Sequence, residues 1–266
     1  MSRSFHLKKW YLDCVSDDGR ALICYSARLT WLGAKIAYAS RIYLRAPQDT
    51  HIESRFHDVT EPVEAGDTIR WEDAGLQVAG QWTRCVLPLQ AVLHETKKGR
   101  VVWNCVQPVS QCSIRVGDEP PMTGHGYVEC LDMTVPPWEM GFNELRWGRF
   151  AHPDAPLVWI DLKGPTSQQR VFDGQTDVKT AVVGEDCIHL PEFRKTLWLE
   201  NPVVIEEKNK IMEVVRSLVA WLPGIEHLTP LRFLQAKETK WRSWGKLDVA
   251  GQGAGEGWVI HELVTF

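Results

Sequence analysis

The chain has 266 residues, a hydrophobic content of 44 % and a formal net charge of −4 at neutral pH. That length can bury a substantial core and suits one large β domain or two smaller ones. An isoelectric point near 6.1, with no basic run interleaved with aromatic residues, excludes the electrostatic footprint of a nucleic-acid binder.

The opening MSRSFHLKKW carries no apolar h-region of a secretory signal, and no apolar run approaches the length of a membrane span. The cysteines are Cys14, Cys24, Cys85, Cys105, Cys112, Cys130 and Cys187, none of them in CxxC spacing. Without a secretory signal they read as reduced thiols, and the expected location is cytoplasmic. Thirteen tryptophans are spread along the chain. Most suit a Trp-rich β core; others suit the wall of an apolar pocket.

In chain order, Trp10–Cys14 leads through the turn SDDG into Ala21–Leu32, a hairpin by its Asp-Asp-Gly punctuation. Ala34–Leu44 alternates again, and His51–Asp58 is a short charged strand. Thr68–Trp71 pairs with Leu76–Leu87, and Ala91–His94 with Val101–Pro108 across the basic turn KKG. Gly117–Met122, GDEPPM, has no periodicity and reads as a linker. It divides the chain into domains 1–117 and 118–266.

Gly124–Phe150 opens the second half as two strands around a Pro-Pro turn. Tyr127, Glu129, Leu131, Met133 and Val135 share one face by the two-residue period, so Glu129 is a carboxylate in an apolar row. Such a group has a partner, a shifted pKa or a task. Arg146 and Arg149 of LRWGRF are its candidate partners, and a purely structural Glu–Arg pair is the bland alternative. Leu157–Leu162 and several short strands follow. Ile211, Val215, Leu218 and Leu222 recur at helical spacing, which predicts one amphipathic helix over 208–222. The last strand, WVIHELVTF, sets Glu262 in the apolar row Trp258, Ile260, Val264, Phe266. His261 falls on the other face and reads as a surface or satisfied histidine. GQGAGEG (251–257) lacks both the following helix and the Gly-Lys of a phosphate loop and reads as a hairpin loop. LQVAGQ (76–81) and LDVAGQ (247–252) form a weak repeat that a duplicated β module would leave. Many short strands and frequent turn signals give an all-β protein of barrel or sandwich type.

Three segments, WYLDCVSDDGR (10–20), GHGYVE (124–129) and LRWGRF (145–150), resemble the hydroxyneurosporene synthase (carotenoid 1,2-hydratase)/AttH-like family. The resemblance implies two lipocalin-like β domains packed side by side, with the ligand site in or between them. The chain departs from the hydratase pattern in separating Glu129 from Trp147-Gly148 by the insert Cys130–Arg146. The resemblance therefore implies an architecture and a type of ligand more firmly than a reaction.

Two readings stay open. One is a cofactor-independent enzyme that hydrates, cyclises or isomerises a small terpenoid-, carotenoid- or polyketide-like molecule. Its proton donor would be a carboxylic acid kept protonated by an apolar site: Glu129 first, Glu262 second, Asp13 third. Tyr127, Trp138 and Trp147 would stabilise developing positive charge, and Arg146 or Arg149 would orient the acid. Trp10, Trp159 and Trp258 are further candidate pocket walls. The other reading is a lipocalin-like carrier without chemistry. Neither invokes a metal or nucleotide cofactor, because no His/Cys cluster has ligand spacing and no G-x-S-x-G or dinucleotide fingerprint is present. The expected partner is a small hydrophobic molecule; homo-oligomerisation stays open.

Overall fold

The SDDG turn connects β1 (Phe5–Ser16) to β2 (Ala21–Trp31), with Gly19 at a φ of +84° and its N–H donating to the Ser16 carbonyl at 2.8 Å. A left-handed turn position of this kind favours glycine. The computed structural model to which this hairpin belongs describes residues 5–208, 233 and 235–266.

The chain continues as β3 (Ala34–Ala46), β4 (Asp49–Arg55), β5 (Val63–Ala65), β6 (Thr68–Asp73), β7 (Val78–Arg84), β8 (Leu89–Thr96), β9 (Gly99–Val116) and β10 (Met122–Met133). These form one antiparallel sheet of order β4-β3-β2-β1-β10-β9-β7-β6-β5, with β8 also paired to β9. Trp10, Leu12, Cys14, Leu22, Cys24, Ala39 and Tyr43 share one apolar cluster with Trp71, Val78, Trp82, Cys112 and Ile114. Residues from both ends of the strand order thus meet in one core, so the sheet curls into a half-barrel. The ends are also tied by polar contacts: Arg55 Nη1 donates to the buried Asp73 Oδ1 at 2.9 Å. Asp73 Oδ1 in turn accepts from Leu76 N at 3.0 Å, capping a short 3-10 turn.

The second sheet comprises β11 (Glu144–Phe150), β12 (Leu157–Lys163), β13 (Gln168–Asp173), β14 (Thr176–Asp177), β15 (Val182–Val183), β16 (Cys187–Leu190), β17 (Lys195–Lys208), β18 (Lys237–Val249) and β19 (Gln252–Thr265). Its order is β14-β13-β12-β11-β19-β18-β17-β16-β15. The two orders superimpose strand for strand. Each sheet's first strand pairs with its last, β1 with β10 and β11 with β19. A 3-10 turn followed by a left-handed residue sits at matching places, at Ala74–Leu76 with Gln77 and at Pro191–Phe193 with Arg194. The duplication is therefore one of topology. LQVAGQ does not mark it: the first copy runs from a 3-10 turn into β7, the second off β18 through a turn into β19.

The all-β, two-sheet architecture is the one read from the sequence. The placement of GDEPPM and of the strand after it differs. Gly117–Met122 is the β9–β10 hairpin connection, and β10 lies between β1 and β9 in the first sheet. The compact N-terminal unit comprises 1–135, 149–157 and 173–176; the C-terminal unit comprises 136–148, 158–172 and 177–266. Pro and acidic residues are equally at home in a tight hairpin connection, so composition alone did not separate hairpin from linker. Of the segment predicted as a helix over 208–222, Lys208 ends β17 and the remainder lies outside the described residues. Among the described residues no helix is long and apolar enough to cross a membrane.

Candidate functional site

In the N-terminal unit, side chains of β1 alternate between two buried faces. Trp10, Leu12 and Cys14 enter the core cluster, while Tyr11 and Asp13 occupy the opposite face and are also buried. The register sets Asp13 across from Tyr127 and Tyr11 across from Glu129. This face concentrates polar groups. Arg149 clamps Asp13 with two bonds, Nη2 to Oδ1 at 2.7 Å and Nε to Oδ2 at 3.1 Å, and both side chains are fully buried. The Tyr11 hydroxyl donates to Asp13 Oδ2 at 3.0 Å. Burial pushes the Asp13 carboxyl up, while the Arg149 charge and hydrogen bonds from Arg149, Tyr11 and the Tyr127 backbone pull it back. Burial is the largest of these effects, so the Asp13 carboxyl stands above the usual carboxylate value, beside an arginine that keeps its proton. Next to it, Glu129 Oε2 accepts from Trp103 Nε1 at 2.5 Å and from the Tyr127 hydroxyl at 2.6 Å. Burial also pushes the Tyr127 hydroxyl and the Cys105 thiol up, so both stay protonated. Trp103 and Tyr127 thus both donate to the Glu129 carboxyl.

The C-terminal unit has a different feature, an open cleft of about 320 Å³. Trp147, Trp159, Trp241, Leu199, Pro202 and Leu263 make its apolar walls, and Arg146, Glu185, His261 and Glu262 bring polar groups to it. A concave, mainly aromatic wall with a few convergent polar groups is the usual form of a small-molecule site. Gly148 lets the walls close up: a Cβ there would lie 2.2 Å from the Trp159 ring and 2.8 Å from His261 Cβ. Arg146 Nε donates to Glu144 at 2.7 Å, and Arg146 Nη2 lies 3.4 Å from Glu185.

Glu262 belongs to an acidic row. The register aligns Glu206, Lys240 and Glu262 across β17, β18 and β19. The buried Lys240 Nζ lies 3.0 Å from Glu262, 3.7 Å from Glu206 and in contact with Glu238. One ammonium thus meets three carboxylates. His261 stacks on Trp241 at 5.2 Å and 20°, with its Nε2 2.8 Å from Ser243 Oγ. Burial lowers its pKa to about 4, so the ring is neutral at physiological pH.

The predicted site residues therefore divide. Asp13, Tyr127, Glu129 and Arg149 come together in the N-terminal unit; Arg146, Trp147, Trp159 and Glu262 line the cleft of the C-terminal one. Arg146 and Arg149, the expected partners of Glu129, each bind another carboxylate. Glu129 is held by Trp103 and Tyr127, Arg149 binds Asp13, and Arg146 binds Glu144 and Glu185. Trp10 is in the core cluster of the first sheet. Trp138 packs edge-on against Phe233 at 6.0 Å. Trp258 lies under the Arg242 guanidinium at 4.5 Å. Trp103, Lys240 and Trp241 were not singled out in the sequence, and His261 was read as a bystander. Alternation hides them, because strands buried on both faces carry no polar face to contrast with an apolar one. Among the described residues, no group of three or more His, Cys, Asp or Glu is placed to hold a metal ion.

No family model and no curated protein matches the chain. Solved structures do. An AttH-assigned protein of Nitrosomonas europaea matches with a TM-score of 0.53 at 11 % identity, over 98 % of this chain and 92 % of that one. CghA matches with a TM-score of 0.59 at 8 % identity, over 100 % of this chain and 89 % of that one. CghA with Sch210972 bound matches with a TM-score of 0.57 at 9 % identity, over 98 % and 89 %. The chain shares the fold of these proteins, which is the architecture the AttH-like resemblance implies.

Proposed function

We propose that the protein binds a small apolar molecule of terpenoid or polyketide type in the cleft of its C-terminal unit. There it catalyses an acid- or base-assisted hydration, cyclisation or isomerisation without a cofactor. The observation that carries this reading is the cleft itself. It gathers Arg146, Trp147, Trp159 and Glu262, selected from sequence for this chemistry, around an empty volume with a neutral imidazole at its edge. The volume is at the small end of the range for small-molecule sites, which favours a compact ligand over a full-length carotenoid. Support also comes from the fold, since CghA, with the same architecture, holds the small molecule Sch210972. Glu262 is the proposed proton donor. It lines the cleft, and its carboxyl meets a buried lysine that two further acids also approach. The aromatic walls would stabilise developing positive charge by about 1–2 kcal/mol per ring when desolvated.

One observation favours a carrier instead: the charged groups of the cleft already have protein partners, Arg146 with Glu144 and Glu262 with Lys240. The test separates the two. Any molecule that co-purifies with the protein from its own host is extracted, identified and incubated with wild type and Glu262→Gln. Turnover by wild type alone, with binding retained by both, supports the enzyme. Binding without turnover in either leaves the carrier.

A further inference from the structure

His261 stands at the cleft, and among the described residues only its Nε2 has a hydrogen-bond partner. Nε2 lies 2.8 Å from Ser243 Oγ, and Ser243 is fully buried. Among the described residues Ser243 is the hydrogen-bond partner of this histidine. The ring plane is fixed from one side by the stacked Trp241, 5.2 Å away, and by the close approach that Gly148 permits. We propose that His261 is a catalytic base of the cleft, accepting a substrate proton at Nδ1 while Ser243 Oγ accepts the Nε2–H. The proposal rests on the cleft being the ligand site.

The serine makes this workable. A hydroxyl both donates and accepts, so it supports either neutral tautomer and follows the ring when it becomes an imidazolium. In the tautomer with hydrogen on Nε2, the Nδ1 lone pair is free to take a proton. In the reaction the substrate C–H bond breaks, its electron pair moves into a new double bond, and the proton rests on Nδ1. Returning that proton to another carbon yields a double-bond isomer with no oxidant or reductant. A ring fixed by an aromatic stack and a buried hydroxyl is pre-oriented, which is a large part of general-base efficiency.

The neighbouring charged groups each have a partner of their own. Arg146 of β11 is tied to Glu144 and Glu185, and Glu262 of β19 to Lys240. Asp161 of β12 lies 3.5 Å from Lys163. β18 contributes Trp241 and Ser243 to the ring's immediate surroundings. Burial holds His261 neutral down to about pH 4, so the base is available throughout the physiological range.

A probe that reports proton abstraction directly is 5-nitrobenzisoxazole, a small apolar molecule. A base removes its C3 proton, the C–H pair becomes part of a nitrile, the N–O bond breaks, and the ring opens to a single coloured cyanophenolate. Wild type should convert it faster than buffer, with a rate flat from about pH 5 to 8 and falling only towards pH 4. His261→Gln should lower kcat by about 100-fold while quenching of tryptophan fluorescence by the probe persists. Ser243→Ala should lower kcat with KM unchanged, as expected of a positioning residue. Wild-type turnover by His261→Gln overturns the base. If the probe fails to quench wild-type fluorescence, the cleft reading falls and the base with it. Nuclear magnetic resonance titration of the His261 ring in wild type guards against a variant that does not fold. A ring with Nε2 protonated and Nδ1 bare at pH 7 agrees with the proposal, and an imidazolium at pH 6 overturns it.

Discussion

Glu129 and Glu262 stand on corresponding strands, each the last of its sheet and each paired to that sheet's first strand. In sequence both are single carboxylates in apolar rows, and they look alike. Their surroundings do not. Glu129 receives two short hydrogen bonds from neutral donors, and the adjacent Asp13 and Arg149 clamp each other fully buried. Glu262 shares one buried ammonium with two other acids and opens onto an aromatic cleft. The difference teaches that burial alone does not set the role of a carboxylate; the groups that hold it and what it borders do.

The sharpest break in this comparison is Arg149→Met. It leaves the buried Asp13 carboxyl with its main partner gone, and should destabilise the protein by about 3–5 kcal/mol in denaturant titration. Asp13→Asn on top of it should recover part of that loss, because the stranded carboxyl is removed. Recovery identifies the pair, and no recovery would contradict the account of this face.

Gly148→Ala is expected next. The added methyl meets Trp159 and His261 inside contact distance, so stability should drop by about 1–3 kcal/mol and affinity for an apolar fluorescent probe should fall with it. Glu129→Gln keeps the shape and loses the charge. It should remove about 1.5–3 kcal/mol of charge-assisted hydrogen bonding yet leave probe binding as in wild type. Glu262→Gln should show the reverse, with little change in stability and loss of turnover.

The remaining effect is a pH dependence. His261 has a folded pKa near 4, below its unfolded value of 6.5. The unfolded chain therefore binds the proton more tightly, and stability attributable to this group rises as pH increases from about 4 to 6.5 and then levels off. Denaturant midpoints across that window should show a shallower rise in His261→Gln than in wild type.

Much of this was legible in the sequence and some was not, for identifiable reasons. The hairpins followed from turn residues such as SDDG, whose Gly19 takes the left-handed φ. Glu129 and Glu262 stood out because a charge in an apolar row is visible by alternation. Their partners did not, because Trp103 and Lys240 come from neighbouring strands whose register no local pattern specifies. The topological duplication was hidden because strand order leaves no trace in sequence, and the short LQVAGQ match pointed to positions that do not correspond. His261 was missed because β19 is buried on both faces around Val259 and Ile260, so its alternation carried no inside and outside.

The most direct test of the central claim compares the two regions in one measurement. Native mass spectrometry would follow rebinding of the co-purified apolar molecule to wild type, Trp159→Ala and Glu129→Gln, each first shown to be folded by circular dichroism. The account predicts that Trp159→Ala loses the bound species, while Glu129→Gln holds it as tightly as wild type. Binding retained by Trp159→Ala and lost in Glu129→Gln would contradict it and move the ligand to the Tyr127–Glu129 face.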